Sequence, residues 1–156
     1  MNKNKWIWLL VVAAVAFFFG RFSDKQPTAV EPTSQTQSAA QSSRSNFEQV
    51  LQDAYEQRRS NVQIAGEGVV KKTLPDDNKG SRHQRFILQL KSGQTVLVAH
   101  NIDLAEKIKG LKKGDTVAFY GEYEWSEQGG VIHWTHHDPK GSHADGWLKH
   151  NGKVYR

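Results

Sequence analysis

The sequence predicts a mainly β protein, and three observations carry that prediction. From Asn61 to the C-terminus, apolar and polar residues alternate with a period of two, the pattern of strands with one face against a core. Turn clusters rich in Gly, Asp and Asn cut this stretch into short segments. Gly66, Gly68 and Gly121 interrupt the segments and mark bends that let strands curve.

Ahead of the strands, Ser45-Asn46-Phe47-Glu48 has the S-x-x-E form of a helix capping box. Phe47, Val50, Leu51, Ala54 and Tyr55 follow at helical spacing, which predicts a helix over about 46–59 with that stripe on the main domain. Val62–Leu74 is the first predicted strand, closed by the turn cluster Pro75–Gly80. His83–Leu90 is the second, and Lys91-Ser92-Gly93 turns it into the third, Gln94–Ala99. Asp103-Leu104-Ala105-Glu106 reads as another capping box and predicts a short helix with Leu104 and Ile108. Thr116–Trp125 is the fourth strand, and Gln128-Gly129-Gly130 leads to the fifth, Val131–His137. Trp147–His150 and Lys153–Arg156 flank Asn151-Gly152, the dipeptide of a two-residue type I′ hairpin. Three strands, a short helix and two strands is the element order of the OB-fold. The predicted architecture is a five-stranded OB-like Greek-key barrel. It carries an N-terminal helix, a short helix between strands 3 and 4, and a C-terminal hairpin.

The residues before this domain predict an address. Lys3 and Lys5 precede an uncharged run from Trp6 to Gly20, and Arg21 ends it. As a helix, fifteen residues reach ~22 Å, short of a ~30 Å hydrocarbon core, with Phe22 and snorkelling cations to extend it. Residues 1–22 therefore read as an uncleaved membrane anchor, with a cleaved signal peptide as the alternative, cut after Ala16. Residues 23–45 are rich in Ser, Gln, Thr, Pro and Ala and read as a disordered linker to a domain over 46–156. The expectation is a domain tethered to the inner membrane through residues 6–22 and lying in the periplasm, or released there after cleavage.

Composition removes some chemistry. The 156 residues contain no cysteine, so disulfides and thiolate metal sites are excluded. Of the net charge of +5, only +3 falls on residues 61–156, a weaker footprint than a dedicated nucleic-acid binder usually shows, so nucleic acid is a weakly supported partner.

What stands out is histidine. His133, His136, His137, His143 and His150 crowd the C-terminal segment, five of the seven in the chain. Imidazole ligates metals, shuttles protons and titrates near neutral pH. On a strand, His133 and His137 share a face, about 13 Å apart, too far to hold one ion together. Asp138-Pro139-Lys140-Gly141 fits a β-turn that would bring His143 and Asp145 back toward His137. His137, His143 and Asp145 then form a candidate ligand set for zinc or another divalent transition metal, with an open position. Without metal, His137 or His143 would be a candidate general base, oriented by a distant carboxylate: Asp76, Asp77, Glu122 or Glu124. Arg82 and Arg85 form a candidate anion-binding corner, and an exposed Trp147 could stack on a base or sugar.

The segments SRHQRFILQL, VLVAHNIDLA, GDTVAFYGEYEW and GGVIHWTHHDPKGSHADGWLKHNGKVY together resemble a bacterial family known only as a domain of unknown function. The resemblance spans roughly residues 60–156 and centres on the HWTHHDP box with the GxH and GW that follow. More distantly, the chain is similar to small periplasmic bacterial OB-fold proteins. Neither resemblance implies a mechanism, because a fold does not confer a function. The leading expectation is an envelope module recognising a polar or anionic ligand through a His-rich face, with His133, His137, Arg82, Arg85 and Trp147 as its contacts. A metal-dependent hydrolase of phosphodiesterase or nuclease type is the first alternative, and an envelope scaffold contacting another protein is the second.

Overall fold

The computed structural model describes residues 46–156. The anchor expected over 1–22 and the linker over 23–45 lie outside the described residues. Among the described residues no helix is long and apolar enough to cross a membrane.

The first element, α1, spans 46–56. Phe47, Leu51 and Ala54 bury its apolar stripe, while Tyr55 stays exposed and its hydroxyl donates to the Glu127 carbonyl at 3.2 Å. The helix stops before the expected 59. Arg58 turns left-handed at φ 52°, and the Arg59 and Arg58 amides donate to the Ala54 and Tyr55 carbonyls, a Schellman closure. Glu48 does not turn back to cap its own helix. Its carboxylate accepts the Lys91 and Ser92 N–H groups at 3.0 and 2.8 Å, pinning the turn between the second and third strands.

Seven strands follow: β1 Val62–Asp77, β2 His83–Gln89, β3 Thr95–Asn101, β4 Thr116–Glu124, β5 Val131–His133, β6 Trp147–His150 and β7 Lys153–Tyr155. Five of them form a ring, β1-β2-β3-β5-β4, closed by the pairing of β4 with β1. All neighbours in the ring are antiparallel except β3 and β5. The first strand is long because it serves two partners, β4 along Val62–Val69 and β2 along Val69–Asp77. It continues through Pro75, expected in a turn, because a register shift there accommodates a residue with no N–H to offer.

One edge of β4 is shared. Glu122–Glu124 pair with β5, and Val117–Tyr120 pair with β6. Gly121 stands at the handover, where a Cβ would run into the His133 carbonyl and lie 2.8 Å from the Thr135 methyl. The C-terminal hairpin β6–β7 turns at Asn151 and Gly152, both at positive φ, as a type I′ turn requires.

Inward-facing Phe86, Leu88, Val96, Val98, Val117, Phe119, Tyr123, Ile132 and Leu148 fill the core. Each such side chain contributes about 1.5–3 kcal/mol by leaving water. The helix joins them edge-on, with the Phe47 and Phe119 ring centroids 6.3 Å apart at 90°.

Two predicted elements are corrected. The short helix between strands 3 and 4 is a turn over 102–104 followed by irregular chain. The buried Gln84 side chain takes both backbone groups of Ile108 at 2.9 Å, which removes them from any helical ladder. Asp103 does not cap a helix either, because Arg82 occupies its carboxylate. The fifth strand ends at His133 rather than His137. Trp134 sits at φ 52°, a left-handed conformation that ends the alternation, so Thr135, which an unbroken strand would put on the face of His133, is fully buried against His100.

Candidate functional site

The alternation that fills the core puts a second set of side chains on the outer face. His83 and Arg85 come from β2, Leu97, Ala99 and Asn101 from β3, His133 from β5, and Glu122 and Glu124 from β4. Register aligns them, with Arg85 opposite Ala99, Leu97 opposite Val131 and Glu122 opposite His133. An open cavity of about 390 Å³ lies on this face, with Leu97, Ala99 and Val131 as apolar lining and Asp77, His83, Arg85, Glu124 and His133 as polar lining. A neighbouring cavity of about 330 Å³ shares His83 and His133 and adds Asn101, Trp134 and His136. The two histidines thus stand at the junction of both.

At one wall, His133 meets two carboxylates. Its Nε2 lies 3.4 Å from Glu122 Oε1 and 3.8 Å from Glu124 Oε1. That nitrogen is sealed from solvent and makes no hydrogen bond. Burial lowers the His133 pKa, against the opposing pull of Glu122 and Glu124. Among the described residues, Glu122, Glu124 and His133 are the group whose side-chain donors come close enough to hold one metal ion, all within 4.8 Å of one another.

The other C-terminal histidines belong to a loop, residues 134–146, that leaves the edge of β4 after β5 and returns in β6. Asp138 is its hub. Its buried carboxylate accepts the Lys140, Ser142 and His143 N–H groups and the Ser142 hydroxyl. The Lys140 N–H bond and those from the neighbouring groups hold the Asp138 carboxyl far below the usual carboxylate range, against the opposing effect of desolvation. The expected β-turn is present, with the Gly141 N–H donating to the Asp138 carbonyl at 3.0 Å. Asp145 accepts from the Asp138 N–H at 2.8 Å and from His137 Nδ1 at 2.7 Å. Gly146 closes the loop on the His136 carbonyl at 2.9 Å.

His143 links the loop to the outer face. Its Nε2 donates to Glu122 Oε2 at 2.9 Å and its Nδ1 to the Ala144 carbonyl at 2.8 Å. Partial burial opposes its charge, but the bonds to Glu122 and Ala144 outweigh burial and raise its pKa.

The predicted residues therefore separate. His133 and Arg85 meet in one cavity. Arg82 is held by Asp103, at 2.7 Å through Nε and 2.8 Å through its backbone N–H. Trp147 lies beside Tyr120 and lines a different cavity with Lys149, Val154 and Arg156. His137 is largely exposed and pairs with Asp145, as the turn implied, whereas His143 turns away to Glu122. His137, His143 and Asp145 are thus not brought into one group. Of the four distant carboxylates, Glu122 is the one that reaches a histidine of the loop. His150 is buried against Asp115, Nε2 to Oδ2 at 3.0 Å, and His100 is buried against Thr135.

Sequence reasoning passed over His83 in the cavity and the pairing of Glu122 and Glu124 with His133. A signal for the latter was present: a hairpin centred on Glu127-Gln128 places Glu122 opposite His133.

Among the described residues, a ring sheet preceded by one helix defines the class of protein. The family model described as "Protein of unknown function (DUF3465)" matches residues 34–156, and the chain belongs to that family. No curated protein matches the chain.

Proposed function

We propose that this protein is a ligand-binding module of OB-like architecture that recognises a polar or anionic molecule on the outer face of β2, β3, β5 and β4. The ring order, with its parallel β3–β5 pair, supports reading the sheet as the OB-like Greek-key barrel expected from the sequence. OB-folds bind extended polar ligands on the face of strands 2 and 3.

One observation carries the reading. The cavity on that face sets Arg85, His83 and His133 beside Asp77 and Glu124 over an apolar lining. Arg85 supplies donors for an anion, the carboxylates accept from hydroxyls or amides, and the apolar floor suits a sugar or base face. The uncharged run from Trp6 to Gly20 between Lys5 and Arg21 supports an envelope address, in which residues 6–22 would hold the module outside the inner membrane. An enzyme reporter fused after Arg156 tests that address: activity outside the cytoplasm supports it, and activity confined to the cytoplasm removes it.

Spectra of ¹⁵N-labelled protein, kept with chelator, test the binding face. The probes are inorganic phosphate, a neutral oligosaccharide and a short single-stranded oligonucleotide, each at millimolar concentration. The expected result is saturable shifts in the amides of β2, β3 and β5, abolished in Arg85→Ala for the anionic probes. Shifts confined to the 134–146 loop, or none with any probe, would contradict the proposal.

A further inference from the structure

We infer that Glu122, Glu124 and His133 bind one divalent transition-metal ion, zinc foremost, at the wall of the outer cavity. This deepens the ligand-binding reading and rests on the same face being the working one. The His133 Nε2 contact with Glu122, at 3.4 Å, lacks the alignment of a hydrogen bond, and that with Glu124, at 3.8 Å, is too long for one. They match the separation of neighbouring ligands in a tetrahedral zinc shell, ~3.4 Å for bonds of ~2.1 Å. A sealed imidazole nitrogen with no hydrogen bond, facing two carboxylate oxygens, is an atom arrangement that an ion completes.

The backbone fixes this geometry. Glu122 and His133 are direct partners across β4 and β5, and Glu124 is two residues on, on the same face. A supporting layer is also in place. The second oxygen of Glu122 is held by His143 Nε2 at 2.9 Å, and the His143 ring stacks on Trp134 at 4.1 Å. Such hydrogen bonds to ligating carboxylates orient them for metal. Two carboxylates and an imidazole balance a divalent ion and leave a fourth position. Glu124 and His133 also line the cavity, so that position would face a bound molecule.

The test is zinc alone, titrated by calorimetry into the chelator-treated full chain. The expected result is one ion per chain. Glu124→Gln and His133→Ala should each weaken it by more than about tenfold, His143→Ala by about tenfold through loss of support, and His137→Ala should leave it unchanged. Glu124→Gln is nearly isosteric at a partly exposed site, so it stays informative if His133→Ala fails to fold. Cobalt in place of zinc should give the visible spectrum of a nitrogen and oxygen shell, lost in Glu124→Gln. No stoichiometric zinc, zinc that survives Glu124→Gln, or zinc lost in His137→Ala would each overturn the inference. Because the polar probes are titrated with chelator present, failure here leaves the ligand-binding reading standing.

Discussion

The Trp134 and His143 rings lie face to face, with centroids 4.1 Å apart and planes 9° from parallel. The stack joins the start of the 134–146 loop to its end and steadies the imidazole that holds Glu122. Trp134 occupies φ 52°, a costly conformation for a bulky residue, so surrounding contacts must enforce it. Replacing Trp134 by Ala should remove about 1 kcal/mol of stacking beyond the lost burial. Amide exchange gives the local readout: the Gly146 N–H, bonded to the His136 carbonyl, should lose protection while β2 and β3 keep theirs. Unchanged protection at Gly146 would mean that the stack is incidental.

Asp138 organises the same loop from inside. Its replacement by Ala strands the Lys140, Ser142 and His143 N–H groups together. The expected outcome is a melting temperature lower by several degrees and rapid exchange of the Ser142 and His143 amides. Asp138→Asn, which keeps one acceptor oxygen, should recover part of the loss. Equal damage from both variants would show that charge, not acceptor geometry, is what the loop needs.

Gly146 is required for close approach rather than for an unusual φ. A Cβ there would collide with the Trp134 carbonyl and stand 2.6 Å from that of Tyr120. Backbone atoms cannot swing aside, so Gly146→Ala should destabilise the protein by at least about 2 kcal/mol in urea unfolding. Gly141→Ala is the contrast, since nothing lies within 4 Å of its Cβ and its φ of 62° alone opposes the change.

His100 gives stability a pH dependence. Burial lowers its pKa from 6.5 to about 4, helped by the nearby charges of His136 and His83 and opposed by the bond to the Glu106 carbonyl. The native ring stays neutral, its Nδ1 at 2.8 Å from the Thr135 hydroxyl. In the unfolded chain the ring takes a proton near pH 6.5, so below that pH the unfolded state binds the extra proton. The stability that His100 contributes is complete above 6.5 and is lost as pH falls toward about 4, a cost of ~3 kcal/mol. Urea unfolding across this range should be flatter with pH in His100→Gln than in the parent. Identical slopes would contradict the assignment.

The strand pattern was legible because period-two alternation reports burial directly. Phe86 and Leu88, and likewise Val117, Phe119 and Tyr123, face the core as the sequence implied. The Asn151-Gly152 hairpin was legible for a similar reason: two consecutive positive φ angles demand those residues. What failed was local logic overridden by distant partners. Glu48 and Asp103 carry capping-box spacing, but Lys91, Ser92 and Arg82 claim their carboxylates across the fold. The site was half visible. His133 and Arg85 were named from the sequence, but the histidine-dense stretch drew attention to the loop, where Asp138 gathers backbone N–H groups and Asp145 pairs with His137 to tie the chain down. Which carboxylate meets which histidine depends on strand register, and a one-residue slip would turn Glu122 and Glu124 into the core.

The central claim is that binding groups converge on the outer strands rather than in the histidine loop. Crystals of the protein grown with zinc, measured at the zinc absorption edge, test it most directly. An anomalous peak bounded by Glu122, Glu124 and His133 is the predicted result. A peak at His137 and Asp145, with no density between the β4 carboxylates and His133, would contradict it.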